Sequence, residues 1–187
     1  AARSGPGGED GSLVHTIDNR VSLLRAGNDG PRAVATADSI IHCLACWDDS
    51  IAVGTESGRL CRIDLNQPDD CWVPHRGTGP IESVQVRRWN DMVELVVPGG
   101  SQGVLAVDER ENGVSRLFDS SAPIRKAWAT DDLVVGLTQA RDQLAVLHGD
   151  GGERAPRMVS VARIGGDMAQ DVCIITRECQ PAAVPPA

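Results

Sequence analysis

Six cysteines, four histidines and the aspartate pairs Asp48-Asp49 and Asp131-Asp132 are the residues of this 187-residue chain that stand out for types that could do chemistry. The densest cluster is His42-Cys43-Leu44-Ala45-Cys46, which contains a C-x-x-C. Zinc held that way needs two more thiolate or imidazole ligands, commonly a second C-x-x-C or a pair of histidines. Cys61, Cys71, Cys173 and Cys179 are isolated in the sequence. Residues three apart on a strand also point to opposite faces, which is poor geometry for one shared ion. The cluster therefore reads as buried structural cysteine, and no metal site is expected. The pairs Asp48-Asp49 and Asp131-Asp132 have the residue type for calcium or for acid–base hydrolysis, but no D-x-D-x-D-G ligand loop accompanies them. Turns, in which Asp side chains bond nearby backbone NH groups, explain them better. His15, His42, His75 and His148 lie without a repeated nucleophile or carboxylate partner. Neither glycine-rich phosphate loop, G-x-x-x-x-G-K-S/T or G-x-G-x-x-G, is present. No catalytic residue and no cofactor is assigned, and the expectation is a protein that is not an enzyme.

The bulk properties narrow the partners. A net charge of −8 argues against general nucleic-acid binding, which needs a clustered basic footprint, and against an anionic membrane surface. No apolar run approaches the roughly 20 residues that span a bilayer. With four Trp, one Phe and no Tyr, the core must be built from Val, Ile, Leu, Ala and Cys. Six cysteines without regular pairing distances favour reduced thiols and a cytoplasmic or nuclear protein.

What must position these residues is a repeat. Ser39-Ile40, Pro80-Ile81 and Pro123-Ile124 begin three copies, 41 and 43 residues apart. Each Ile is followed at i+3 and i+5 by apolar or small residues: Cys43 and Ala45, Val84 and Val86, Ala127 and Ala129. An acidic turn comes next (Asp48-Asp49, Asn90-Asp91, Asp131-Asp132), then a second strand at Ile51–Val53, Leu95–Val97 and Leu133–Val135. Third strands follow at 60–63, 104–107 and 144–147, and fourth strands at 71–75, 114–118 and 157–162. A further copy starts near Ile164, with its second strand at 172–176.

Four strands per period of about 40 residues fits an all-β fold, a β-propeller of four-stranded antiparallel blades. A disordered leader is expected over 1–10, a half blade over 11–27, full blades over 39–79, 80–122 and 123–163, a half blade over 164–178, and a Pro-rich tail over 179–187. Residues 28–37 read as a loose connection. The two half blades would either combine and close a ring of four, or be cut edges of a larger propeller completed by another chain or a missing segment. A start at Ala1-Ala2-Arg3, without Met, favours the larger ring.

Gly58-Arg59-Leu60-Cys61-Arg62-Ile63-Asp64 with Trp72, and Gly103-Val104-Leu105-Ala106-Val107-Asp108 with Gly113 and Phe118, resemble the blade motif shared by WD-repeat and quinoprotein-like propellers. The resemblance implies a propeller and does not choose a subfamily: Trp47-Asp48 falls at the end of a first strand instead of a third. By that analogy the chain is expected to be a non-catalytic scaffold for other proteins, a subunit or segment of a larger assembly. The alternative is a quinoprotein-like enzyme or ligand-binding domain that uses the central channel. Trp47 and Trp89, each before an acidic turn, are the candidate interaction anchors if exposed; the competing expectation packs them between blades.

Overall fold

The computed structural model describes residues 2–4, 12–25, 30–89, 92–108, 113–118, 122–130, 133–139, 143–148 and 157–163. Every regular element among them is a strand, and the strands form four antiparallel sheets of four. The first sheet is β1 (Ala2–Ser4), β2 (Ser12–Ile17), β3 (Arg20–Arg25) and β4 (Arg32–Thr36). The second is β5 (Ile41–Trp47), β6 (Ser50–Thr55), β7 (Arg59–Asp64) and β8 (Gln67–Arg76). The third is β9 (Gln85–Trp89), β10 (Met92–Pro98), β11 (Val104–Asp108) and β12 (Val114–Phe118). The fourth is β13 (Ile124–Ala129), β14 (Leu133–Thr138), β15 (Gln143–His148) and β16 (Arg157–Arg163). Strand order follows chain order in all four.

Local chemistry sets the hairpins. Two-residue turns, Asp18-Asn19 and Asp48-Asp49, join β2 to β3 and β5 to β6, with Asp18 at φ 52° and Asp48 at φ 43°. Tight hairpins demand that left-handed backbone, and Asp tolerates it because its short side chain bonds locally. The pair Asp48-Asp49 is thereby accounted for as a turn, while Asn90-Asp91 and Asp131-Asp132 lie outside the described residues. Gly58 and Gly103 take φ of 82° and 81° just before β7 and β11, where a side chain would be strained.

Alternation then divides each sheet between two cores. In the second sheet Ile41, Leu44, Ile51, Val53, Cys61 and Ile63 pack back on Val14, Val21 and Leu23 of the first. Ala45, Trp47, Ala52 and Leu60 face forward, onto Ile81, Val84, Leu95, Val97, Leu105 and Val107. The third sheet sends Val96 and Val104 forward onto Ile124, Ala127 and Val134 of the fourth. A strand with both faces covered reads as a near-continuous apolar run, and every residue of β6 is buried, the apolar centre Ile51–Val53 and the polar ends Ser50 and Thr55 alike. Within the third sheet, Arg87 and Glu94 are direct cross-strand partners, with Nη2 2.6 Å and Nε 2.7 Å from Oε2, both largely buried.

One backbone joint recurs between sheets. Ile41 donates its N–H to the Asp18 carbonyl at 2.8 Å, Ile81 to Thr55 at 3.1 Å and Ile124 to Gly100 at 2.9 Å. Each acceptor lies at the turn between the second and third strands of the preceding sheet. Ala37 to Asn19 and Gly77 to Gly58, both 2.7 Å, add a second bond from the chain leaving a fourth strand. The sheets are therefore tied by backbone as well as by apolar side chains.

Several expectations change. The first copy of the repeat begins at Ile41: Ile41 is buried and forms the joint, whereas Ile40 is 51% exposed. Leu44 thus shares a column with Val84 and Ala127, and Cys43 falls level with Ser83 and Lys126. The half blade expected over 11–27, whose strands the repeat aligns with the third and fourth of a blade, instead supplies the second and third strands of a sheet of four, since the carbonyl at their turn receives Ile41. Arg32–Thr36, read as loose connection, is β4, because the ladder from β3 outweighs a sequence with little apolar alternation. Ala2–Ser4, assigned to the leader, pairs with β2. The half blade at 164–178 and the tail at 179–187 lie outside the described residues.

Candidate functional site

Of the register shifts among the described residues, two fall in first strands, at corresponding places. In β5 the register shifts between Ile41 and Cys43, and in β13 between Ile124 and Lys126. His42 and Arg125 are the residues left out of the ladder. A bulge bends its strand and re-aims the extra side chain. Glu82 occupies the same place after Ile81, so the residue following each joint leaves the core and turns to the strand ends.

There a cleft of about 560 Å³ opens across the second, third and fourth sheets. One wall is the connector Gly77-Thr78-Gly79-Pro80, another is Pro98-Gly99-Gly100-Ser101 at the end of β10, and the third is Pro123–Arg125 with Gln139. Much of the wall is bare backbone: a Cβ placed on Gly79 or Gly100 would meet no atom within 4 Å. Glu82 and Arg125, from consecutive sheets, meet in the cleft with Arg125 Nε 2.5 Å from Glu82 Oε2. Their side chains are 22% and 29% exposed, partly withdrawn from water. Thr78, Ser101 and Gln139 are exposed at the rim.

The residues singled out by sequence fall elsewhere. Trp47 is 5% exposed and belongs to the core between the second and third sheets, so it is not a surface anchor; its large apolar ring is worth more buried. The side chain of Trp89 lies outside the described residues. Cys43 and Cys46 join different cores, one forward and one back, as residues three apart on a strand should. Cys43 Sγ donates to the Ile81 carbonyl at 3.2 Å, and Ser83, level with it one sheet on, accepts from Ala127 N at 2.7 Å. Cys43 and Ser83 are thus polar bridges to the next sheet, while Val84 and Ala127 stay in the apolar column, where Leu44 takes the place assigned to Cys43. Burial drives the Cys43 thiol from 9.0 up to about 12, with the Glu82 charge adding and the Gly54 backbone and Lys126 opposing. Burial also lowers the His75 imidazole from its ordinary 6.5. Asp48 pairs with Arg88 at 3.1 Å on an exposed edge, and Asp131-Asp132 lie outside the described residues. No group of three His, Cys, Asp or Glu that could hold a metal ion occurs among the described residues.

Sequence reasoning missed Glu82 and Arg125. The available signal was a charged residue directly after the repeated Ile, of opposite sign in successive copies.

No family model and no curated protein matches the chain. Among solved structures it is similar to the crystal structure of the computationally designed Ika8 protein, with a TM-score of 0.63 and 12% identity over 94% of this chain and 52% of that one. At that identity the likeness is one of fold alone, and the chain spans about half the length of the designed protein.

Proposed function

We propose that the chain forms β-propeller blades and serves as a rigid platform for another protein, as a subunit or segment of a larger assembly. The observation that supports this is the cleft itself. It is built from connectors of three sheets that the repeated backbone joint holds in register, so its shape is fixed by the scaffold. Its walls are glycine and proline backbone, open enough for an extended segment to approach closely. Its two charged groups are paired with each other. A rigid frame carrying contact residues on its connecting loops is the physical basis of a binding platform.

Gly79→Trp tests the reading. The new side chain enters open space in the cleft, so the fold should survive. Affinity capture with the native chain and the variant, at matched thermal stability, should show a protein retained by the first and lost with the second. Identical captured sets would contradict the role of the cleft.

A further inference from the structure

The first sheet has one face that joins none of the cores among the described residues. Its forward face, Val14, Val21 and Leu23, packs on the second sheet. Alternation turns the other residues of β2 and β3 to the opposite side, in three cross-strand rows: Leu13 opposite Leu24, His15 opposite Ser22 and Ile17 opposite Arg20. In the second sheet the first two rows are Ile51 opposite Ile63 and Val53 opposite Cys61, each residue at most 4% exposed because the first sheet covers them. In the first sheet Leu13, His15, Ser22 and Leu24 are only partly buried. Ile17, which ends β2, is 65% exposed, whereas Thr55, which ends β6, is fully buried.

We propose that this face is an interface between two copies of the chain, packed like on like about a two-fold axis that runs along the strands between β2 and β3. Such an axis lays β2 of one protomer over β3 of its partner. Leu13 then meets the partner's Leu24, and His15 comes level with the partner's Ser22, whose hydroxyl can donate to or accept from an imidazole nitrogen. Ile17 covers the aliphatic stem of the partner's Arg20, and Asp18, next along the turn, stands near its guanidinium. The rows are therefore self-complementary, which is the condition for a closed two-fold pair. Two further observations favour a second copy in this arrangement. Beyond the third core, Val135 and Leu137 on the far face of β14 are 5% and 1% exposed, so that end is closed and copies cannot add head to tail. Charge also allows the approach: Arg3, Arg20, Arg25 and Arg32 balance Glu9, Asp10, Asp18 and Asp29, so the whole −8 of the chain lies after residue 37. The inference does not use the cleft, whose walls come from the other three sheets, so the two readings fail separately.

Analytical ultracentrifugation of the native chain tests this. Between about 1 µM and about 1 mM it should show a reversible dimer, weak as one small sheet face implies. Ile17→Asp, at a position exposed in the single chain, should keep the melting curve of the dilute protein and weaken the dimer at least about tenfold. Leu13→Glu and Leu24→Lys should each weaken self-association, because either puts a charge against an apolar side chain twice. An equimolar mixture of the two should associate more tightly than either alone, since one Glu–Lys contact and one Leu–Leu contact replace the two mismatches. A monomer over the whole concentration range overturns the proposal, and so does a dimer that Ile17→Asp leaves unchanged. A mixture of folded variants no tighter than its components rules out the like-on-like axis and overturns it too. If the two Leu variants fail to fold, Ile17→Asp decides.

Discussion

Gly54 shows how closely the sheets approach. A Cβ there would sit 2.6 Å from both Cys43 Sγ and Ile81 Cγ2, and 2.8 Å from the Ile81 carbonyl. Those neighbours belong to the joint itself, so Gly54→Ala should destabilise the fold by about 1–3 kcal/mol, the usual cost of overpacking, measured by urea unfolding. Cys43, beside it, makes a pH prediction. Its thiol ionises near 9.0 when unfolded and near 12 when folded, so the folded state keeps the proton that the unfolded chain loses. The contribution is fully present below pH 9 and is lost as pH rises from about 9 toward 12. Cys43→Ser keeps a donor for the Ile81 carbonyl but does not titrate in this window. Its stability should therefore fall less steeply than that of the native chain between pH 9 and 11, and parallel slopes would contradict the assignment. These effects were out of reach from sequence. A glycine in a strand and a cysteine after a histidine carry no mark of the neighbouring sheet that presses on them.

At the scale of elements, the register of β5 is the point most open to test. Ile40 and Ile41 are adjacent and alike, yet only Ile41 enters the core and forms the joint. Ile41→Ala should cost about 2–5 kcal/mol, whereas Ile40→Ser should change stability by no more than about 0.5 kcal/mol. Comparable losses at both positions would restore the register that spacing alone suggests. The second, third and fourth strands of the second and third sheets were legible in the sequence, because their apolar runs between turn residues have one physical meaning. The first strands were legible only to within a residue. Ile40 and Ile41 offer the spacing two equally good starts, and the start at Ile41 moved Cys43 out of the column assigned to it. β4 was missed for a related reason. Arg32-Ala33-Val34-Ala35-Thr36 carries little burial of its own and owes its conformation to pairing with β3.

For the whole molecule, the repeat of about 40 residues was readable, and it yields four antiparallel sheets in chain order with shared cores between neighbours. The cleft was not, since its walls come from three connectors brought together only by packing. Everything claimed for the platform depends on those connectors being held as one body by the same joint, used three times. Native-state hydrogen exchange at the Ile41, Ile81 and Ile124 amides measures the joint directly. If the sheets form one rigid unit, these three amides should exchange only through openings as costly as those that expose Val53, Val96 and Val134 in the adjoining strands. Protected strands with all three joint amides exchanging within seconds would mean that the sheets move independently, and the account would be wrong.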